Sequence, residues 1–114
     1  MTIEECYNTL GGNYKNALSR LMNDNLIKRF ILKFPADKSY ENMVAAMEAH
    51  DADVAFREAH PLKGVSRNLA FDQLDSSVSE ITELLRAGDL ESAAKLLPRV
   101  TADYELVIGT LAKL

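Results

Sequence analysis

His60, Lys63 and Gly64 stand at i, i+3 and i+4 in the run Ala59-His60-Pro61-Leu62-Lys63-Gly64, which continues through Val65-Ser66-Arg67-Asn68-Leu69-Ala70-Phe71. Residues at these offsets share one face of a helix. An imidazole then lies beside an ammonium and next to a position with no side chain. An ordinary imidazole, with a pKa of about 6.5, is mostly neutral at pH 7 and offers a nucleophilic lone pair. A phosphoryl group accepted there brings nearly two negative charges, which Lys63 and Arg67 can meet with charge-assisted hydrogen bonds. Gly64 keeps the face clear for an incoming donor. Phe56 and Phe71 fall on the flanks of this face by helical phase and are expected to form an apolar docking rim; ordinary packing against neighbouring helices is the alternative.

Such a turn needs a rigid helical support, and the rest of the chain provides the pattern for one. A helix is expected over Ile3 to Leu10, stopped by Gly11-Gly12, and Asn13 caps the next, with Tyr14, Ala17, Leu18, Leu21 and Met22 at helical spacing. Asn23-Asp24-Asn25 are poor helix-interior residues and predict a break with a new cap before Leu26, Ile27, Phe30, Ile31 and Phe34. Pro35 to Lys38 reads as a loop, after which Ser39 caps a helix carrying Met43, Val44, Ala46 and Met47 and ending near His50. Asp51 caps the helix with the motif, whose inward stripe is Val54, Ala55, Ala59, Leu62, Val65 and Leu69. A further helix holds Leu74, Val78, Ile81, Leu84 and Leu85 and stops at Gly88. Asp89 caps the last, which runs past Pro98 to Leu111. Short loops make neighbours antiparallel. The expectation is an all-α fold: an antiparallel four-helix bundle with additional short N-terminal helices, one domain over residues 1–114 in a standalone chain.

Composition excludes several classes. The 114 residues are long enough for a core without staples, and 47% hydrophobic content argues against disorder. A formal net charge of −4 disfavours nucleic acid as a partner. Cys6 is the sole cysteine, so no internal disulfide forms and a reducing cytoplasm is the expected compartment. No apolar run approaches the roughly 20 residues needed to span a bilayer. Glu4, Glu5, Asn8 and Asn13 are unlike a secretory leader. No His or Cys arrangement suggests a metal site, and no cofactor is expected. His50 reads as a helix-end residue complementing the helix dipole, and Met22, Met43 and Met47 as core filler.

The run from His60 to Gly64, in a chain with this helix order, resembles the signature of histidine-containing phosphotransfer (HPt) domains, a His-x-Leu-Lys-Gly core. The resemblance implies that His60 is a phosphoacceptor, taking a phosphoryl group from a receiver-domain aspartate and passing it to another receiver aspartate. It implies response-regulator receiver domains as partners, with a hybrid histidine kinase as a further one. It also implies a phosphocarrier without autonomous kinase activity; Mg²⁺ and the acidic pocket belong to the receiver. By counting along the next helix, Thr82 takes the position of the family residue that bonds the other ring nitrogen. Two positions depart from the pattern. Pro61 follows the histidine, where it removes an amide and should bend the helix just before His60, and Ala70 replaces a glycine after Leu69. They leave two other readings open: a helical interaction module with a degenerate, non-phosphorylated motif, and a receiver phosphatase, for which Asn68 and Gln73 are poorly phased water-directing groups. A monomer is the expected state.

Overall fold

Side chains that bond their own helix starts define most of the elements. A computed structural model describes all residues, Met1–Leu114, and contains seven α-helices and one 3₁₀ turn. Thr2 and Glu5 form a reciprocal capping box at the start of α1 (Ile3–Leu10). Asn13 caps α2 (Tyr14–Leu21) by accepting from Asn16 N, and Asn23 caps α3 (Asp24–Ile31) by accepting from Leu26 N. The expected break at residues 23–25 is therefore a cap, and α3 begins as soon as Asn23 has supplied it.

Phe34–Ala36 form the 3₁₀ turn inside what the sequence suggested was the end of one helix and a loop. Phe34 is consequently a buried core residue outside α3. Ser39 is the first residue of α4 (Ser39–Glu48), not its cap; the Asp37 carboxylate accepts from Ser39 N at 2.8 Å instead. Asp51 and Asp89 cap α5 (Ala52–Asn68) and α7 (Leu90–Leu111) as expected, through Val54 N and Ser92 N. Between those two lies α6 (Asp72–Arg86).

The fold is all-α, with α4 to α7 forming a four-helix bundle and α1 to α3 as short N-terminal additions. Three residues connect each successive pair within the bundle, which forces neighbours to run in opposite directions. Each of the three connections leaves its helix through a left-handed residue: His50 at φ 57°, Ala70 at φ 58° and Gly88 at φ 75°. The amide after each left-handed residue bonds the carbonyl five positions back, from Asp51 to Ala46, Phe71 to Ser66 and Asp89 to Leu84. This is the Schellman exit, usually built with glycine. Ala70 thus reproduces the exit a glycine would make.

An aromatic chain ties the additions to the bundle. Tyr7 packs on Phe71, Phe71 meets Phe34 edge-on at 5.4 Å, and Phe34 reaches Tyr104, which stacks on Tyr40 at 3.9 Å. Burial pushes the Tyr7 phenol well above its ordinary pKa, so its hydroxyl stays a donor, to Leu69 O at 2.8 Å. Asn13 N to Ala70 O and Gln73 N to Gly11 O complete a seam between the end of α1 and the α5–α6 turn. Gln73 also donates to the buried Asp103 of α7 at 2.7 Å. Neither α5 nor α7 is broken by its proline. Arg57, whose carbonyl loses its amide partner to Pro61, lies on the exposed face, where water can supply the bond. No helix is long and apolar enough to cross a membrane.

Two substitutions test this account. His50 is exposed and its left-handed backbone favours glycine, so His50→Gly should raise the free energy of unfolding in urea by up to about 1 kcal/mol; a lower midpoint would show that the imidazole holds the turn. Tyr7→Phe leaves the Leu69 carbonyl without its donor and should cost about 1–3 kcal/mol in the same measurement.

Candidate functional site

Along α5 the chain alternates between core and solvent within a single turn. Ala55, Ala59 and Ser66 are fully buried and Leu62 is 1% exposed, whereas His60, Pro61, Gly64 and Arg67 are exposed. Ser66 was not foreseen on the inner face; its hydroxyl is satisfied by Leu62 O at 2.8 Å, which allows it there. The inner face fixes the rotation of α5 about its axis, and that rotation turns the imidazole outward. The ring's aromatic neighbour is Phe56, one turn earlier, with centroids 6.0 Å apart.

Gly64 borders this open turn, and a Cβ added there would meet nothing within 4 Å. Packing inside the chain therefore gives no reason for a glycine. Lys63 is drawn toward α6, its side chain 21% exposed and its ammonium 4.0 Å from Glu83 Oε1. Arg67, two turns beyond His60 and one beyond Lys63, has its guanidinium engaged by α6: Nε lies 3.2 Å from Asp75 Oδ2 and Nη2 donates to Ser79 Oγ at 3.2 Å. Arg20 of α2 donates to the Arg67 carbonyl at 2.7 Å, tying the N-terminal additions to the end of the motif.

Two expectations from helical phase need correction. Phe71 is 0% exposed and sits between Tyr7 and Phe34, so it has no surface to offer a partner. The reason is that α5 ends at Asn68; past the left-handed Ala70 the helical phase no longer applies. Thr82 does face α5, but its hydroxyl donates to Val78 O at 2.6 Å and reaches Ala59 O at 3.5 Å. The side chain is buried and too short to reach past the α5 backbone to the exposed ring. Phe56 remains beside the ring, half-buried.

Two residues of α6 join the site that the sequence had not singled out. Arg86 lays its guanidinium over the Phe56 ring at 4.6 Å from the centroid, a cation–π contact. Glu83 Oε2 pairs with Arg86 Nε at 3.1 Å while its other oxygen faces Lys63. The i, i+3 spacing of Glu83 and Arg86 signals a helix-surface pair, but nothing in the sequence aligns them with residues 56 and 63. The site is thus an exposed imidazole beside an apolar ring, with one of two cations that share a carboxylate lying over that ring.

Neither a curated protein nor a solved structure matches the chain. The family model described as Hpt domain matches residues 32–110, a span that covers the 3₁₀ turn, α4, α5, α6 and all but the last residue of α7. Hpt domains are phosphocarriers of two-component signalling that work with receiver domains and lack kinase activity of their own. An exposed histidine on a bundle helix agrees with that role, and with the match spanning well over half its length the chain belongs to the Hpt domain family.

Proposed function

We propose that His60 is the phosphoacceptor of a phosphorelay, taking a phosphoryl group from the aspartyl phosphate of one receiver domain and delivering it to an aspartate of another. In the first transfer a ring nitrogen attacks phosphorus, the aspartyl P–O bond breaks, and the carboxylate leaves with the bonding pair. The second transfer reverses this, with a receiver carboxylate attacking and the imidazole departing. The observation that carries the reading is the open surface around the ring: His60 is exposed and Gly64 beside it faces empty space. A folded donor has to reach the ring, and a glycine in mid-helix costs about 0.5–1 kcal/mol relative to alanine without any internal contact to justify it. Lys63, at i+3 from His60, can turn from Glu83 to a phosphoryl oxygen, and Phe56 supplies an apolar edge for the partner.

In this reading residues 1–114 act as one monomeric unit in the cytoplasm, where the lone Cys6 stays reduced and buried. A hybrid histidine kinase that carries a receiver is a suitable donor. Arg67 is already paired with Asp75 and serves the phosphate only by leaving that partner.

Incubation with phosphorylated receiver domains should place acid-labile, base-stable phosphate on the wild-type protein and none on His60→Gln. No label with any receiver of the organism, or label persisting in the variant, would reject the assignment. Gly64→Ala should unfold at a free energy about 0.5–1 kcal/mol higher in urea while taking label from receivers more slowly. Unaltered transfer in that variant would mean that the partner does not approach over this turn.

A further inference from the structure

The carboxylate of Glu83 occupies an unexpected place for a site that is to hold an anion. Its two oxygens face two cations, Lys63 Nζ at 4.0 Å and Arg86 Nε at 3.1 Å. Arg86 in turn covers Phe56, whose ring neighbours His60. One acid therefore gathers both cations on the α6 side of the imidazole. Stability does not account for it: Glu83 is 58% exposed, and exposed pairs contribute little. Arg67 and Asp75, the next charged pair along the same two helices, satisfy each other.

Resting on the reading of His60 as phosphoacceptor, we propose that Glu83 is a positioning residue that holds Lys63 and Arg86 as their resident counter-ion and yields them to the phosphoryl group when it arrives. Before transfer, the acid keeps two long, flexible side chains near the ring. After transfer, the phosphoryl oxygens compete with it for the same cations, and its negative charge stays close to theirs. The repulsion raises the free energy of the phosphohistidine. Two cations without the carboxylate would hold the phosphoryl group more firmly and slow its departure. Glu83 in this way keeps the carrier able both to load and to unload.

The full chain can be loaded with phosphoramidate, a small donor that needs no receiver. The ring nitrogen attacks phosphorus, the donor's P–N bond breaks, and ammonia leaves with the bonding pair. Wild type, Glu83→Gln, Lys63→Gln and the double variant are then compared by ³¹P NMR after the donor is removed, with His60→Gln identifying the resonance of the site. Glu83→Gln should lengthen the half-life of the phosphohistidine roughly two- to fivefold. It should also lower the pH at which the ³¹P shift titrates, because a neighbouring negative charge disfavours the dianion. Both effects should shrink in the Lys63→Gln background, a coupling that a purely structural role would not produce. Equal half-lives and equal titration midpoints in wild type and Glu83→Gln would overturn the proposal while leaving His60 as acceptor. Absence of any His60 resonance in the loaded wild type would remove the acceptor itself, and this inference with it.

Discussion

The close seating of α5 is the constraint on which the rest depends. Its inner face is built from Ala55, Ala59 and Ser66, short side chains at 0% exposure, with Leu62 as the one large anchor. Small residues let helix axes approach toward the lower end of the usual range of about 8–10 Å. A helix seated this way cannot rotate without dragging Leu62 into water and pushing a polar residue inside. The outward direction of the imidazole is therefore set by residues on the opposite side of the same turn. The exposed face is left free of packing duties, and can carry a proline and a glycine that a buried helix face would not tolerate.

Charge placement around the ring follows a different logic from the core. Lys63, Glu83, Arg86, Arg67 and Asp75 all have partners, and each pair is at least partly exposed. Such pairs add little to the free energy of folding, because water and salt screen them. Their value lies in where they hold flexible side chains. The α5–α6 interface offers both a shared acid and an aromatic platform, so the cations on this side of the ring are arranged by contacts rather than left to sample solvent. The apolar body of Phe56 contributes twice, once as the seat for Arg86 and once as the neighbour of His60.

Much of the fold was legible because its signals are local. Asn13, Asp51 and Asp89 cap the helices that follow them through bonds spanning three residues, and the apolar spacing between caps is helical throughout. The motif was legible for the same reason, its residues lying within two turns. An error arose where a helix ended without a glycine. Ala70 takes the left-handed exit position unannounced, so α5 could not be seen to stop at Asn68 and Phe71 was phased onto a helix to which it does not belong. Contacts between helices were beyond reach for another reason. Helical phase gives the direction of a side chain but not its depth, which is why Thr82 could be placed on the correct face and yet given a bond its short hydroxyl cannot make. Glu83 and Arg86 escaped notice because their meaning depends on which residues of α5 lie opposite.

The seam between the first helix and the α5–α6 turn has a consequence for the order in which the chain assembles. Tyr7 finds its acceptor 62 residues away, whereas the bundle helices are joined by connections of three. Closing a long loop costs more chain entropy than closing a hairpin, and distant contacts form late. The first helix can dock only after the α5–α6 turn that carries its acceptor has been made. Chain entropy thus favours the bundle hairpins first and the docking of α1, which seals the turn after Asn68, later.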